Sequence, residues 1–397
     1  MNKPQTLLPL ATSLLLLSSC NSYHERNITQ EISPTETRDT AEDRPLEYRR
    51  NGKLKDAAPL GATYTLDEQR SASIQLEANV DLIAGLENQR RLLQKRKAKT
   101  RKAGNLTIEH DQLKKVVSLL QRAASDPSFD LSPFLRAHQL QGNDEKGSVY
   151  YTGYFTPILK VSEKPTDEYR YPLYSRPLDW VGTFPTRAEI DGEQVLAGQG
   201  LELAYASNPV DVYFMQVQGS GIVEFTDGRR ILFANNGDNG HRYRSIGRYM
   251  IENGLTTPQY VSINSIRNIL GKNPEWMDEV LYSNPSYVFF QPRKARPSGA
   301  GQVPLTADYS IAVDPQYIPL GSCLLASVPV HDQRGNFTHH EYRVLLAQDT
   351  GGAINGPGHV DVYTGIGKQA KREAGYTHHY GNMWLLLPNE DLLASLP

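Results

Sequence analysis

The chain predicts a mainly β body with N-terminal helices, and three observations carry this. From Val149, segments rich in Tyr, Thr and Val are broken by Gly and Pro, as in "VYYTGYFTPILKV". That is the composition of half-buried strands bounded by turns. From Ala300 to Leu387 the same grammar returns, with Gly and Pro at the corners. Before both, Asp67 to Ala124 has few glycines and no proline, and "VDLIAGLENQRRLLQ" places apolar residues at near-helical spacing. At 397 residues the chain exceeds one average domain, so two are expected.

The N-terminus reads as an export signal. Met1-Asn2-Lys3 is a short basic start, Leu7 to Leu17 is an apolar run too short to span a bilayer comfortably, and "LSSC" ends at Cys20. Small residues directly before a cysteine resemble a bacterial lipoprotein cleavage site, so residues 1–19 are expected to be removed and Cys20 to carry lipid. Asn21 rather than Asp after the cysteine resembles lipoproteins of the outer membrane, which places the protein on that membrane's periplasmic face. Residues 20–60 are polar, charged and low in large apolar side chains, the composition of a disordered tether. With Cys20 acylated, Cys323 has no internal partner, and its setting "IPLGSCLLASV" makes it a small buried hydrophobe.

The basic run Arg90 to Lys102 lacks interleaved aromatics, so it reads as a solvated helix face and loop. A net charge of -2 likewise gives no reason to expect nucleic acid. Val212 to Ala234 reads as a strand meander turning at Gly-Ser-Gly and again at Asp227-Gly228. Ser245 to Glu252, Ser262 to Leu270 and "NPEWMDEVLYSNP" read as helices, and "SYVFFQP" returns to strand.

Several chemistries are absent from the pattern. There is no His-Glu-x-x-His and no Cys-x-x-Cys, so no metal is expected, and no Gly-x-Ser-x-Gly elbow occurs. The pairs His339-His340 and His378-His379 are strand neighbours that face opposite ways.

The stretch "QDTGGAINGPGHVDVYTGIG" is the informative one. In "HVDVYTG", Val360 and Val362 share one strand face, and His359, Asp361 and Tyr363 share the other. A core on the valine side leaves Asp361 facing solvent or a groove. Asp349 follows the apolar "VLLAQ" and precedes Gly351-Gly352, so it stands where a strand leaves the core. A turn-capping role accepting backbone N–H groups suits it equally. Two nearby carboxylates cannot both ionise cheaply, so one keeps a proton near neutral pH and can act as a general acid. That logic serves an aspartic protease or a glycosidic-bond-cleaving enzyme, but a protease needs a second Asp-Thr-Gly, or a dimer, and the chain has one. By period two, Gln216 and Gln218 share a strand face, and Tyr154 stands with Thr152 and Thr156. These amides, ring and hydroxyls suit a sugar polymer.

Taken in order, "YYTGYFTP", "MQVQGSG", "NGHRYRSIGRYM", "NPSYVFF", "VPLTADYSIAVDPQYIPLGS" and "DTGGAINGPGHVDVYTGIG" resemble the membrane-bound lytic murein transglycosylase A family over roughly Gly147 to Leu387. The resemblance implies a double-psi β-barrel domain plus a smaller inserted β domain, with a substrate groove between them. The expected division is 61–157 and 293–397 for the helical segment and barrel, and 158–292 for the insert. It implies that Asp361 cleaves the β-1,4 bond between N-acetylmuramic acid and N-acetylglucosamine, leaving 1,6-anhydromuramic acid ends. Asp349 would support it, and Thr152, Tyr154, Gln216, Gln218 and Tyr363 would hold the glycan. No cofactor is implied. The expected partners are peptidoglycan strands, the membrane surface through Cys20 and other cell-wall enzymes, around a monomer. A non-catalytic peptidoglycan-binding lipoprotein is the alternative. One departure is the loop Gly352 to His359, which is one residue longer than the family's pattern.

Overall fold

The computed structural model describes residues 79–393, apart from 98, 104–105, 143, 145–146 and 258–260, together with three two-residue strands before them. Cys20 and the leader lie outside the described residues. Of the expected tether only β1 (Ile28–Thr29) is described, paired antiparallel with β3 (Gln75–Leu76). β2 (Tyr64–Thr65) pairs with a later strand.

The expected helical region is two helices, not one continuous run. Helix α1 (Val80–Lys95) is capped by the Asn79 side chain, and α2 (His110–Ser125) opens with a Glu109/Gln112 capping box. Between them "KRKAKTRK" offers a helix no apolar face, and the chain forms β4 (Arg101–Ala103) and β5 (Leu106–Ile108) instead. This hairpin buries Ala103, Leu106 and Ile108. Helix α1 buries Leu82, Leu86, Leu92 and Leu93 in the main core.

That core belongs to a nine-stranded sheet. β6 (Leu135–Leu140) and β7 (Val149–Thr156) enter it before the insert. The chain returns through β14 (Ser310–Ala312), β15 (Cys323–His331), β16 (Phe337–Asp349), β17 (His359–Ile366), β18 (His378–Gly381) and β19 (Met383–Pro388). The order across the sheet is β18-β7-β17-β14-β16-β15-β19-β6-β2. β7 runs parallel to β17, and β14 parallel to β16, among otherwise antiparallel neighbours. These parallel pairs need crossovers rather than hairpins, as barrels of the double-psi kind do. Cys323 is buried in this core as a free thiol.

The second sheet is formed by β8 (Ile158–Ser162), β9 (Tyr171–Tyr174), β10 (Glu202–Ala206), β11 (Gly221–Phe225), β12 (Arg230–Asp238) and β13 (Val288–Arg293), in the order β13-β12-β11-β8-β10-β9. Its core is Val161, Leu173, Met215, Val223, Phe233 and Phe290.

Here the meander reading is corrected. Pro209–Val217 is a helix, α3, and only β11 and β12 form the expected hairpin, turning at Gly228 with φ 85°. Asn208 caps α3 through Val210 N–H, and Pro209 sits in the first turn, where its missing N–H costs nothing. The Asn208-Pro209 start is the local sequence feature that marks this helix. Helices α4 (Ile246–Glu252), α5 (Ile263–Lys272) and α6 (Met277–Tyr282) follow the sequence reading, although α5 runs on through Gly271. One helix was missed, α7 (Gly367–Tyr376), which packs on β7. Its approach is so close that a Cβ on Gly153 would lie 2.6 Å from Ala374 Cα. A short helix, α8 (Glu390–Leu393), ends the described chain. Among the described residues no helix is long and apolar enough to cross a membrane.

Candidate active site

Strand register assembles the site. Ala312 on β14 is in register with Asp349 of β16 on one side and Asp361 of β17 on the other. Asp361 is in turn in register with Thr152 of β7. Register partners project to the same face of a sheet. The row Thr152, Asp361, Ala312, Asp349 therefore crosses four strands on one face, and the small Ala312 side chain leaves space between the carboxyl groups. Val360 and Val362 are buried in the opposite core, as alternation requires.

Asp361, Ala312 and Asp349 of this row line a groove of about 940 Å³ between the two sheets. Asp349, Asp361 and Tyr154 line it from the nine-stranded sheet, Gln218, Ser220 and Asn235 line it from the insert, and the segment Ser298–Ala300 borders it.

Asp349 is wrapped by backbone. Its Oδ1 accepts from Ala300 N and Thr350 N, both at 2.8 Å, and its Oδ2 accepts from Tyr154 Oη at 3.0 Å. Gly299 passes so close that an added Cβ would lie 2.4 Å from the Asp349 carboxyl carbon. The preceding residue is also fixed, because the Gln348 amide accepts from Ser310 Oγ and donates to the Gly85 carbonyl of α1. Helix α1 thus anchors the end of β16 that presents Asp349. Burial raises the Asp349 pKa, and its three hydrogen bonds oppose that rise.

Among the described residues Asp361 has one donor. Thr152 Oγ1 donates to its Oδ1 at 2.8 Å. Burial lifts its pKa to about 7, the Thr152 bond pulls it down, and the Asp349 charge pushes it up. A carboxyl with that pKa holds its proton for about half the time at neutral pH and can both give and take one. Tyr154 is held well above the usual phenol range by burial and by the two aspartates, so it stays a donor.

The other predicted residues divide. Tyr154 is buried and packs on Tyr363 at 5.2 Å between ring centroids, so it forms a wall of the site rather than an open stacking platform. Tyr363 is buried behind it, with its hydroxyl on Thr156 Oγ1 at 2.8 Å. Gln216 and Gln218 do not share a strand face, because they end helix α3. Gln218 Oε1 accepts from Phe155 N at 2.9 Å and ties the insert to β7 at the groove edge. Gln216 also lines the groove but is only 2% exposed. Sequence reasoning placed His359 on the Asp361 face without giving it a part. Its Nε2 lies 3.0 Å from Thr152 Oγ1. No sequence spacing signals that contact, since it crosses from β17 to β7. Among the described residues no cluster of His, Cys, Asp and Glu could hold a metal ion.

Comparison with known proteins agrees with this framework. Residues 150–291 match the family model of the MltA specific insert domain, and residues 309–387 match that of the 3D domain. The chain is 39% identical over 267 residues to membrane-bound lytic murein transglycosylase A of Vibrio cholerae, covering 66% of this chain and 72% of that one. It is 41% identical over 254 residues to the Escherichia coli K12 protein of the same name, covering 63% and 68%. Among solved structures, Escherichia coli MltA with bound chitohexaose superposes with a TM-score of 0.69 at 32% identity, covering 89% of this chain and 99% of that one. A membrane-bound lytic murein transglycosylase from Agrobacterium tumefaciens gives 0.68 at 28% identity, covering 81% and 96%. With two sheets, a groove between them and relatives of this identity and coverage, the chain belongs to the membrane-bound lytic murein transglycosylase A family.

Proposed function

We propose that this chain is a peptidoglycan lytic transglycosylase in which Asp361 serves first as acid and then as base. The observation that carries the assignment is Asp361, a groove-lining carboxyl with one side-chain donor and a pKa raised by burial to about 7, in one strand row with Asp349, which three donors hold. Asp361 protonates the oxygen of the β-1,4 bond between N-acetylmuramic acid and N-acetylglucosamine. As that bond breaks, C1 gains oxocarbenium character, and the substrate's own acetamido group can stabilise it without a protein nucleophile. The ionised Asp361 then takes the proton of the muramoyl C6 hydroxyl, whose oxygen closes on C1 to give the 1,6-anhydro ring. A groove that excludes water favours this closure over hydrolysis.

Burial keeps Asp361 protonated, and the nearby Asp349 carboxylate adds to that effect. Thr152 orients Asp361, Tyr154 and Gln218 shape the glycan path, and Tyr363 and Gln216 support it from behind. The bound chitohexaose in the Escherichia coli relative, a sugar polymer, supports a glycan as the occupant. We place the catalytic unit at 61–157 and 293–397 and the insert at 158–292, a division that the two sheets support. Lipid on Cys20 would hold the enzyme at the periplasmic face of the outer membrane, in agreement with the membrane-bound relatives.

The test is digestion of purified sacculi by the lipid-free protein, with mass spectrometry of the released fragments and Asp361→Ala alongside. Fragments ending in 1,6-anhydromuramic acid, lost in the variant, are expected. Reducing ends would replace the ring-closing step with hydrolysis. Binding without release by either protein would leave a peptidoglycan-binding module.

A further inference from the structure

The contact between His359 and Thr152 is not needed to build the strand, and it touches the one hydroxyl that touches Asp361. Thr152 Oγ1 has three neighbours: Asp361 Oδ1 at 2.8 Å, His359 Nε2 at 3.0 Å and the Val360 carbonyl at 3.4 Å. A hydroxyl has one hydrogen to give. If His359 carries its proton on Nε2, it donates to Thr152, and the Thr152 hydrogen goes to Asp361 Oδ1, the nearer acceptor. Oδ1 is then committed as an acceptor, and a proton on Asp361 must sit on Oδ2, which has no hydrogen-bond partner among the described residues. If Nε2 is bare, it competes for the Thr152 hydrogen. Thr152 then offers a lone pair to Oδ1, and the Asp361 proton is drawn inward onto that atom. The His359 tautomer therefore selects which carboxyl oxygen is acidic.

We propose that His359, protonated on Nε2, is a positioning residue that acts through Thr152 to keep the transferable proton of Asp361 on Oδ2. This rests on the reading of Asp361 as the acid. His359 is suited to the task because burial depresses its pKa to about 4, so it is neutral over the working range and its tautomer is a fixed structural feature. Its surroundings are aromatic: the Tyr150 ring from β7 lies 5.4 Å away, with Tyr380 from β18 beyond it. Thr152 is also in register with His378, whose pKa burial lowers as well. Asp349 from β16 and Tyr154 from β7 are the charged and titratable groups coupled to Asp361.

Four variants and one spectrum test this. His359→Phe keeps the ring and removes the donor. Its kcat for release of anhydro fragments from soluble glycan strands should fall about tenfold with KM within about twofold. The alkaline limb of its pH profile should move up, because Thr152 without its donor divides its hydrogen between Asp361 and the Val360 carbonyl and lowers the Asp361 pKa less. Thr152→Val should show the same loss and shift, the double variant should be no worse than Thr152→Val alone, and His359→Gln should restore much of the rate. Unchanged kcat and pH profile in His359→Phe, or multiplied losses in the double variant, would overturn the proposal. The ¹⁵N NMR spectrum of the wild-type His359 ring should show the Nε2–H form, and an Nδ1–H form would overturn it whatever the activity. Should His359→Phe fail to fold, Thr152→Val and the spectrum decide. A wild-type protein that releases no anhydro ends counts against the function reading and leaves the tautomer result standing.

Discussion

The two aspartates of the groove stand on either side of one alanine, yet their surroundings are opposite. Asp349 lies at a strand end where Gly299 and Ala300 fold over it, and it accepts three hydrogen bonds. Asp361 lies within β17, where neighbouring N–H groups are already spent on the sheet, and it accepts one from a side chain. Donors stabilise a carboxylate and burial penalises it. The same burial therefore leaves Asp349 the better anion and Asp361 the better acid. Position along a strand, not residue type, divides the labour.

The most direct way to break this asymmetry is Asp361→Asn. It keeps the shape and removes the exchangeable proton, so release of anhydro fragments should fall roughly 10²–10⁴-fold. Asp349→Asn should behave differently. An amide oxygen can still accept from Ala300 and Thr350, so the corner should hold, but the charge that adds to burial in raising the Asp361 pKa is gone. The alkaline limb should move to lower pH. Activity at pH 7 should drop about two- to threefold and activity near pH 5 should change little, which a pH–rate profile would read. Equal loss at every pH would mean that Asp349 acts by contact rather than by charge.

The comparison also predicts a stability cost. The Asp361 pKa is raised above its unfolded value, to about 7. The folded state then binds the proton more tightly, so stability is fullest below the unfolded pKa and is lost as pH rises through the folded one. Asp361→Asn escapes that loss. Its melting temperature should match wild type near pH 4 and exceed it above pH 7, by the equivalent of about 1–3 kcal/mol. A gain independent of pH would point to packing instead.

The Asp361 strand was legible because period two is a strong signal when one face is apolar: Val360 and Val362 went to the core, and Asp361 faced the groove. Asp349 was legible only as far as its strand end, since its Ala300 donor comes from a segment 49 residues away. The row through Ala312 was not legible at all, because register between strands distant in sequence leaves no local pattern. Helix α7 was missed because glycines flank a short, weakly apolar segment, and its place is set by the gap that Gly153 leaves on β7. At Val212 to Gln218, alternation and helical spacing are both satisfied by the same residues, and the Asn208-Pro209 cap decides between them.

That last ambiguity yields the smallest prediction. Read as strand, Gln216 reaches the glycan, and its loss should weaken binding. In the structure Gln216 belongs to α3, and its amide is buried at the groove wall beside the Tyr287 hydroxyl, without a well-formed hydrogen bond. An unpaired buried amide contributes little or costs stability, and an apolar side chain of similar length removes that cost. Gln216→Met should therefore leave KM for soluble glycan strands within about twofold and change stability by less than about 1.5 kcal/mol, in either direction. A KM raised tenfold or more with an unchanged melting temperature would mean that the amide turns outward when glycan binds, and would return Gln216 to the substrate-contacting side of the groove.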